Sequence, residues 1–157
     1  MRLSLVATLE LDNIERFFNT STKELTEDMS TFSPAPGVMT AAQQVAHAAH
    51  TIDWFVEGAF RPEGFDMDFE GHAKQIEKVT SLAAAREWFA TAIANAKAVL
   101  STKSDAELMT PLAEGPIMGG APRYAIVSAM TDHTAHHRGA LTIYTRLNHK
   151  VPPMPYM

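Results

Sequence analysis

Apolar residues recur at steps of three and four through most of the chain, the spacing that keeps one face of an α-helix buried. The first such stripe runs through Leu3, Ala7, Leu11, Ile14, Phe18 and Leu25 and predicts a helix from about Ser4 to Met29. Ser33-Pro34-Ala35-Pro36-Gly37 breaks it. Thr40 and Gln43 then have the spacing of a capping box, in which each side chain bonds the other residue's free backbone donor, and helix two is expected from Ala41 to about Ala59. From Arg61 to Thr80 no helical period is sustained, with Pro62, Gly64 and Gly71 among alternating Phe65, Met67 and Phe69. That segment reads as a long crossover connection. Ser81 caps a third helix on the stripe Leu82, Ala85, Phe89, Ala92, Ala96 and Val99, ending near Ser101. A short turn capped by Ser104 and Glu107, a loop from Pro111 to Gly120, and Pro122 in the first turn of helix four complete the order.

These elements predict an all-α protein, a four-helix bundle with a long crossover connection between helices two and three, formed by residues 1–157 as a single domain. Helix two has apolar residues Val45, Ile52 and Phe55 on one face, with Gln43, His47, Trp54 and Gly58 nearly opposite. It is therefore expected to be covered on both sides, which one bundle core does not easily do, and a homodimer is the expected consequence. On helix four the seam is expected at Ile126, Met130, His133, His137, Ala140, Tyr144 and Leu147.

Composition narrows the partners. The 157 residues are 46% hydrophobic, and 18 acidic against 13 basic residues leave a net charge of -5, with no basic cluster of the kind nucleic-acid binding requires. No apolar run approaches the length of a membrane span, and no apolar signal core precedes the acidic residues that begin at Glu10, so a cytoplasmic location is expected. With no cysteine there is no thiolate ligand or nucleophile, and thiol chemistry requires an external thiol.

The chemistry of the chain lies in its histidines. His133 and His137 are one turn apart on the inward stripe of helix four, where two imidazoles can converge on one metal ion. His136 is one position off that seam and is expected to support the site or reach a pocket mouth. Either His47 or His50, three apart on helix two, could supply a third ligand, and periodicity does not choose between them. His72, in the irregular connection, and His149, near the tail, are expected to be solvated. Trp54 shares a face with His47 and is expected to pack there or line a pocket, while Arg138 is either an ion-pair partner or an anchor for an anionic substrate.

Three segments carry a resemblance: Gln44-Val45-Ala46-His47, His133-Thr134-Ala135-His136-His137-Arg138-Gly139, and the ending Val151-Pro152-Pro153-Met154-Pro155-Tyr156-Met157. On them the chain resembles the DinB/YfiT-like family of metal-dependent enzymes built on a four-helix bundle. The resemblance implies a divalent metal, zinc or nickel, held by His47, His133 and His137 with water completing the shell. It also implies homodimers and, in some branches, transfer or isomerisation with a low-molecular-weight thiol. Thr134 and Ala140 stand where many relatives carry a glutamate and a glutamine, so no acid-base role is transferred to those positions.

Three neutral imidazoles leave a divalent ion with open coordination positions, as in catalytic sites. The expected function is thus a metal-dependent enzyme, a thiol-dependent transferase or isomerase. The alternatives are a metal-dependent hydrolase, which lacks a glutamate beside the histidines to act as base, or a non-catalytic metal- or small-ligand-binding dimer, such as a stress-response or sequestration protein. The residues that act on the substrate, and the substrate itself, do not follow from the sequence.

Overall fold

The computed structural model describes residues 2–156. Their helices are α1 (Leu3–Thr22), α2 (Ala41–Phe60), α3 (Phe69–Glu77), α4 (Leu82–Ser101), α5 (Asp105–Met109) and α6 (Ala125–Leu147), and among the described residues there is no strand beyond a lone bridge between Pro111 and Pro122. The long helices pack as a bundle, α1 and α2 each lying against both α4 and α6. This arrangement brings α2 and α6, the two histidine-bearing helices, side by side.

The predicted stripes form the core. Ala7, Leu11, Ile14 and Phe18 are buried on α1, and the Phe18 ring stacks on Phe89 of α4 with centroids 4.3 Å apart. The Thr40–Gln43 capping box opens α2, and Ser104 with Glu107 opens α5 in the same way. Ser81 caps α4 by accepting from the Ala84 N–H.

In four places the structure departs from the sequence pattern. Helix one stops at Thr22, because the Arg86 guanidinium of α4 bonds the carbonyls of Thr22 (2.6 Å) and Leu25 (3.4 Å) and so satisfies a helix end from outside. Leu25 and Met29 are still buried, but by a chain that turns back through a short 3-10 turn, Glu27–Met29. Second, the connection after α2 contains α3, capped by the Asp68 carboxylate on the Gly71 N–H. Only Ile76 of α3 is buried, so its apolar signal is too thin to read against the neighbouring Phe and Met residues. Third, Pro122 precedes α6 and lies outside its first turn.

The fourth departure concerns the seam of α6. Ile126, Met130, Thr134, His137, Leu141 and Tyr144 are buried, while Leu147 is 50% exposed. The stripe thus passes through Thr134 and Leu141 in place of His133 and Ala140. Thr134 is admitted to the core because its hydroxyl donates to the Met130 carbonyl at 2.7 Å. His133 is left half-buried at the edge of the seam. Most of helix two is buried and α3 packs against it, while His47 and Trp54 on its second face are half-buried.

Candidate metal centre

His47 of α2 and His133 and His137 of α6 meet in the contact between the two helices. Their ring centroids are 4.5 to 5.0 Å apart, and one ligand nitrogen from each lies within 4.8 Å of the others. His50, the other helix-two candidate, stands outside this group.

Gln44, one turn before His47, fixes one of the rings. Its side-chain carbonyl is bonded to Nδ1 of His137. An amide oxygen only accepts, so Nδ1 carries the hydrogen and Nε2 keeps its lone pair. That Nε2 lies 3.2 Å from Nε2 of His133. Two nitrogens bound at about 2.0–2.1 Å to one tetrahedral ion are about 3.3 Å apart, so the spacing suits two ligands of one metal. The Gln44 amide is itself held, donating to the Tyr144 hydroxyl at 3.3 Å, which donates to the Met39 carbonyl at 2.8 Å. Gln44 has no role in the sequence pattern, although it opens the Gln44-Val45-Ala46-His47 segment that carries the resemblance. Its signal is an amide in an alanine-rich turn one turn before His47.

Burial keeps the three rings neutral. It pushes His137 down to about 3 and His133 to about 4, with the neighbouring imidazoles adding to the effect, and lowers His47 as well. All three therefore present lone pairs near neutral pH, the state a metal requires. Nδ1 of His133 is buried without a protein partner, a polar atom that a hydrocarbon core would not tolerate at no cost. Three neutral imidazoles, two of them with Nε2 atoms at ligand spacing, form a donor set that fits a divalent ion.

His47 and His133 open onto a pocket of about 520 Å³. Met39, Trp54, Phe55, Phe69 and Ile76 give it apolar walls, and among the described residues Glu77 is its one carboxylate and no lysine or arginine lines it. A cavity of this size suits a small molecule.

The remaining candidates separate clearly. Trp54 lines the pocket and is pinned by its indole N–H on the Asp66 carbonyl at 2.8 Å. His50 also lines it, bonded to His72 at 3.2 Å. His72, expected in solvent, is 20% exposed and forms part of the same wall, because α3 folds the connection over the pocket. His136 is exposed, with its ring edge-to-face against His137 at 4.9 Å between centroids. Arg138 lies over Phe17 and borders a separate depression with Glu10 and Thr131, away from this pocket.

The model of the DinB superfamily matches residues 10–141, most of the chain and all three histidines. The chain belongs to the DinB superfamily. A comparison with curated proteins finds no match. In this DinB superfamily chain the matched segment spans all three clustered histidines, and both the family and the cluster are compatible with metal binding.

The role of Gln44 is open to test. Gln44→Ala is expected to weaken zinc binding about 10–100-fold, the usual effect of removing a partner that orients a ligand, while leaving all three imidazoles in place. Competition with a chromogenic chelator measures it. Unchanged affinity would mean that packing alone holds the His137 ring.

Proposed function

We propose that this protein is a metal-dependent enzyme whose divalent ion, zinc or nickel, is held by His47, His133 and His137, and that it activates a low-molecular-weight thiol for transfer or isomerisation. The observation that carries this reading is the convergence of three neutral imidazoles, two of which, His47 and His133, line a pocket large enough for a substrate. A bound ion would supply Lewis acidity, lowering the pKa of a thiol or water that takes an open position. The chain's own residues orient His137 through Gln44 and exclude water with the Trp54, Phe55 and Phe69 wall.

The thiol half of the proposal comes from the family resemblance, and the absence of cysteine makes the thiol a cosubstrate. A hydrolase reading is less well supported, since the pocket offers Glu77 as its only carboxylate. Homodimerisation is likewise proposed from the resemblance.

Incubation of zinc- and nickel-loaded protein with a panel of bacterial thiols and electrophiles tests the activity. Electrophile consumption is expected with the loaded protein and absent from the metal-free protein and from His133→Ala. If no member of a broad panel turns over in a metal-dependent way, a metal- or ligand-binding bundle without catalysis becomes the better account.

A further inference from the structure

The pocket has a second pair of imidazoles that metal binding does not use. His50 of α2 and His72 of α3 line it, and both also line a groove of about 470 Å³ whose other residues include Asp53, Glu57, Asp66 and Asp68. The pair thus stands where the inner pocket meets an acidic outer surface.

Hydrogen bonding sets the tautomers of the pair. The main-chain carbonyl of Asp66 only accepts, so Nε2 of His72, 3.4 Å away, carries a hydrogen. In the neutral ring this leaves Nδ1 bare, and it accepts from Nε2–H of His50 at 3.2 Å. His50 then keeps a lone pair on Nδ1. The Asp66 carboxylate lies 3.8 Å from Nε2 of His72, and the bond it accepts from the Asp68 N–H favours its charged form. The order is that of a base oriented by a second ring and steadied by a carboxylate.

The surroundings of His50 are mixed in charge. Asp53 and Glu57 face it from its own helix, Asp66 from the connection, His72 from α3, and the Trp88 ring of α4 at 6.0 Å. Burial and His72 lower its proton affinity, while the three carboxylates raise it, so near neutral pH the ring is uncharged and free to accept.

A thiol or water must lose a proton before it attacks, and the three clustered imidazoles are occupied as ligands in the reading above. Resting on that reading, we propose that His50 is the proton acceptor of the pocket and that His72 positions it and passes the proton to the outer groove. The S–H or O–H bond of the nucleophile breaks and leaves its electron pair behind, while a new N–H bond forms at Nδ1 of His50. The Nε2 proton of His50 moves to Nδ1 of His72, and the Nε2 proton of His72 leaves to solvent beside Asp66.

Stopped-flow mixing of cobalt-loaded protein with 2-mercaptoethanol tests the transfer without any turnover, by following the rate at which thiolate absorption appears in dilute buffer. In His50→Gln the rate is expected to fall about 100-fold and to be restored by added imidazole, with His72→Gln slowed less and its pH profile flattened. An unchanged rate in His50→Gln overturns the proposal, as does a slowed rate that imidazole does not restore in protein that keeps its cobalt. Nitrogen-15 spectra of metal-free protein are expected to show His72 protonated on Nε2 and His50 bare on Nδ1, and the opposite tautomers overturn the proposal independently of any metal. Failure of wild-type protein to bind cobalt overturns the metal-site reading instead, and the tautomers then decide the histidine pair.

Discussion

Purified protein is expected to carry close to one divalent ion per chain, and His137→Ala to carry almost none. His137 is the most buried of the three clustered histidines, 6% exposed, and its Nδ1 is already committed to Gln44, so its Nε2 is left to the cluster. Replacing it leaves two imidazoles and a void, and the loss of affinity should exceed the roughly 100-fold that removal of a supporting residue costs. His47→Ala should behave alike. By contrast, His136→Ala and His50→Ala should retain the metal, the first because the ring is exposed and the second because it lies outside the ligand group. Elemental analysis of the five proteins decides the assignment. Metal-free wild type would remove the site, and loss of metal in His50→Ala alone would move the helix-two ligand by one turn.

The same burial sets a pH dependence that metal-free protein should show. Above about 6.5, the ordinary histidine value, neither the folded nor the unfolded chain protonates these rings. As pH falls from there toward about 4 for His133 and about 3 for His137, the unfolded chain takes up protons that the folded chain refuses. Stability must therefore fall with pH across that window. Thermal melts of metal-free protein should show a decreasing Tm below 6.5, and a bound metal should raise Tm at each pH where it stays bound. A flat Tm across the window would mean that the rings are already solvated.

What the sequence disclosed followed from signals that are local. The stripe on α1, the Thr40–Gln43 and Ser104–Glu107 boxes, and the His133–His137 spacing all depend on residues within a turn or two of each other. What it concealed depends on distant chain. Arg86 ends α1 from another helix, and the resemblance, not the spacing, chose His47 over His50. The shift of the α6 seam onto Thr134 has a different cause, since a threonine whose hydroxyl bonds its own helix is as good a core residue as an alanine. His72 was misplaced for want of α3, a helix with a single buried side chain.

Gly58→Val is expected to show how that connection is held over the pocket. A Cβ at position 58 would stand 2.2 Å from Cδ1 of Phe65 and 2.7 Å from Cγ, so the ring must leave its place even for alanine. Phe65 is not free to swing: its ring packs on Trp54 at 4.7 Å and on Phe55 at 6.0 Å between centroids. The next residue, Asp66, is the one whose carbonyl holds both Trp54 and His72. For alanine, the gain of about 1 kcal/mol in helix propensity opposes the overpacking; for valine, with its branched and helix-disfavoured side chain, overpacking of about 1–3 kcal/mol prevails. At about 2–4 °C per kcal/mol for a chain of this size, Tm should fall by roughly 3–10 °C. Tryptophan fluorescence should shift to the red as Trp54 loses its cover, while metal content stays near that of wild type, because His47, His133 and His137 are held by α2 and α6 and not by the connection. A valine variant that melts with wild type would show that the Phe65 ring has a second seat, and that Gly58 is not what fixes the wall of the pocket.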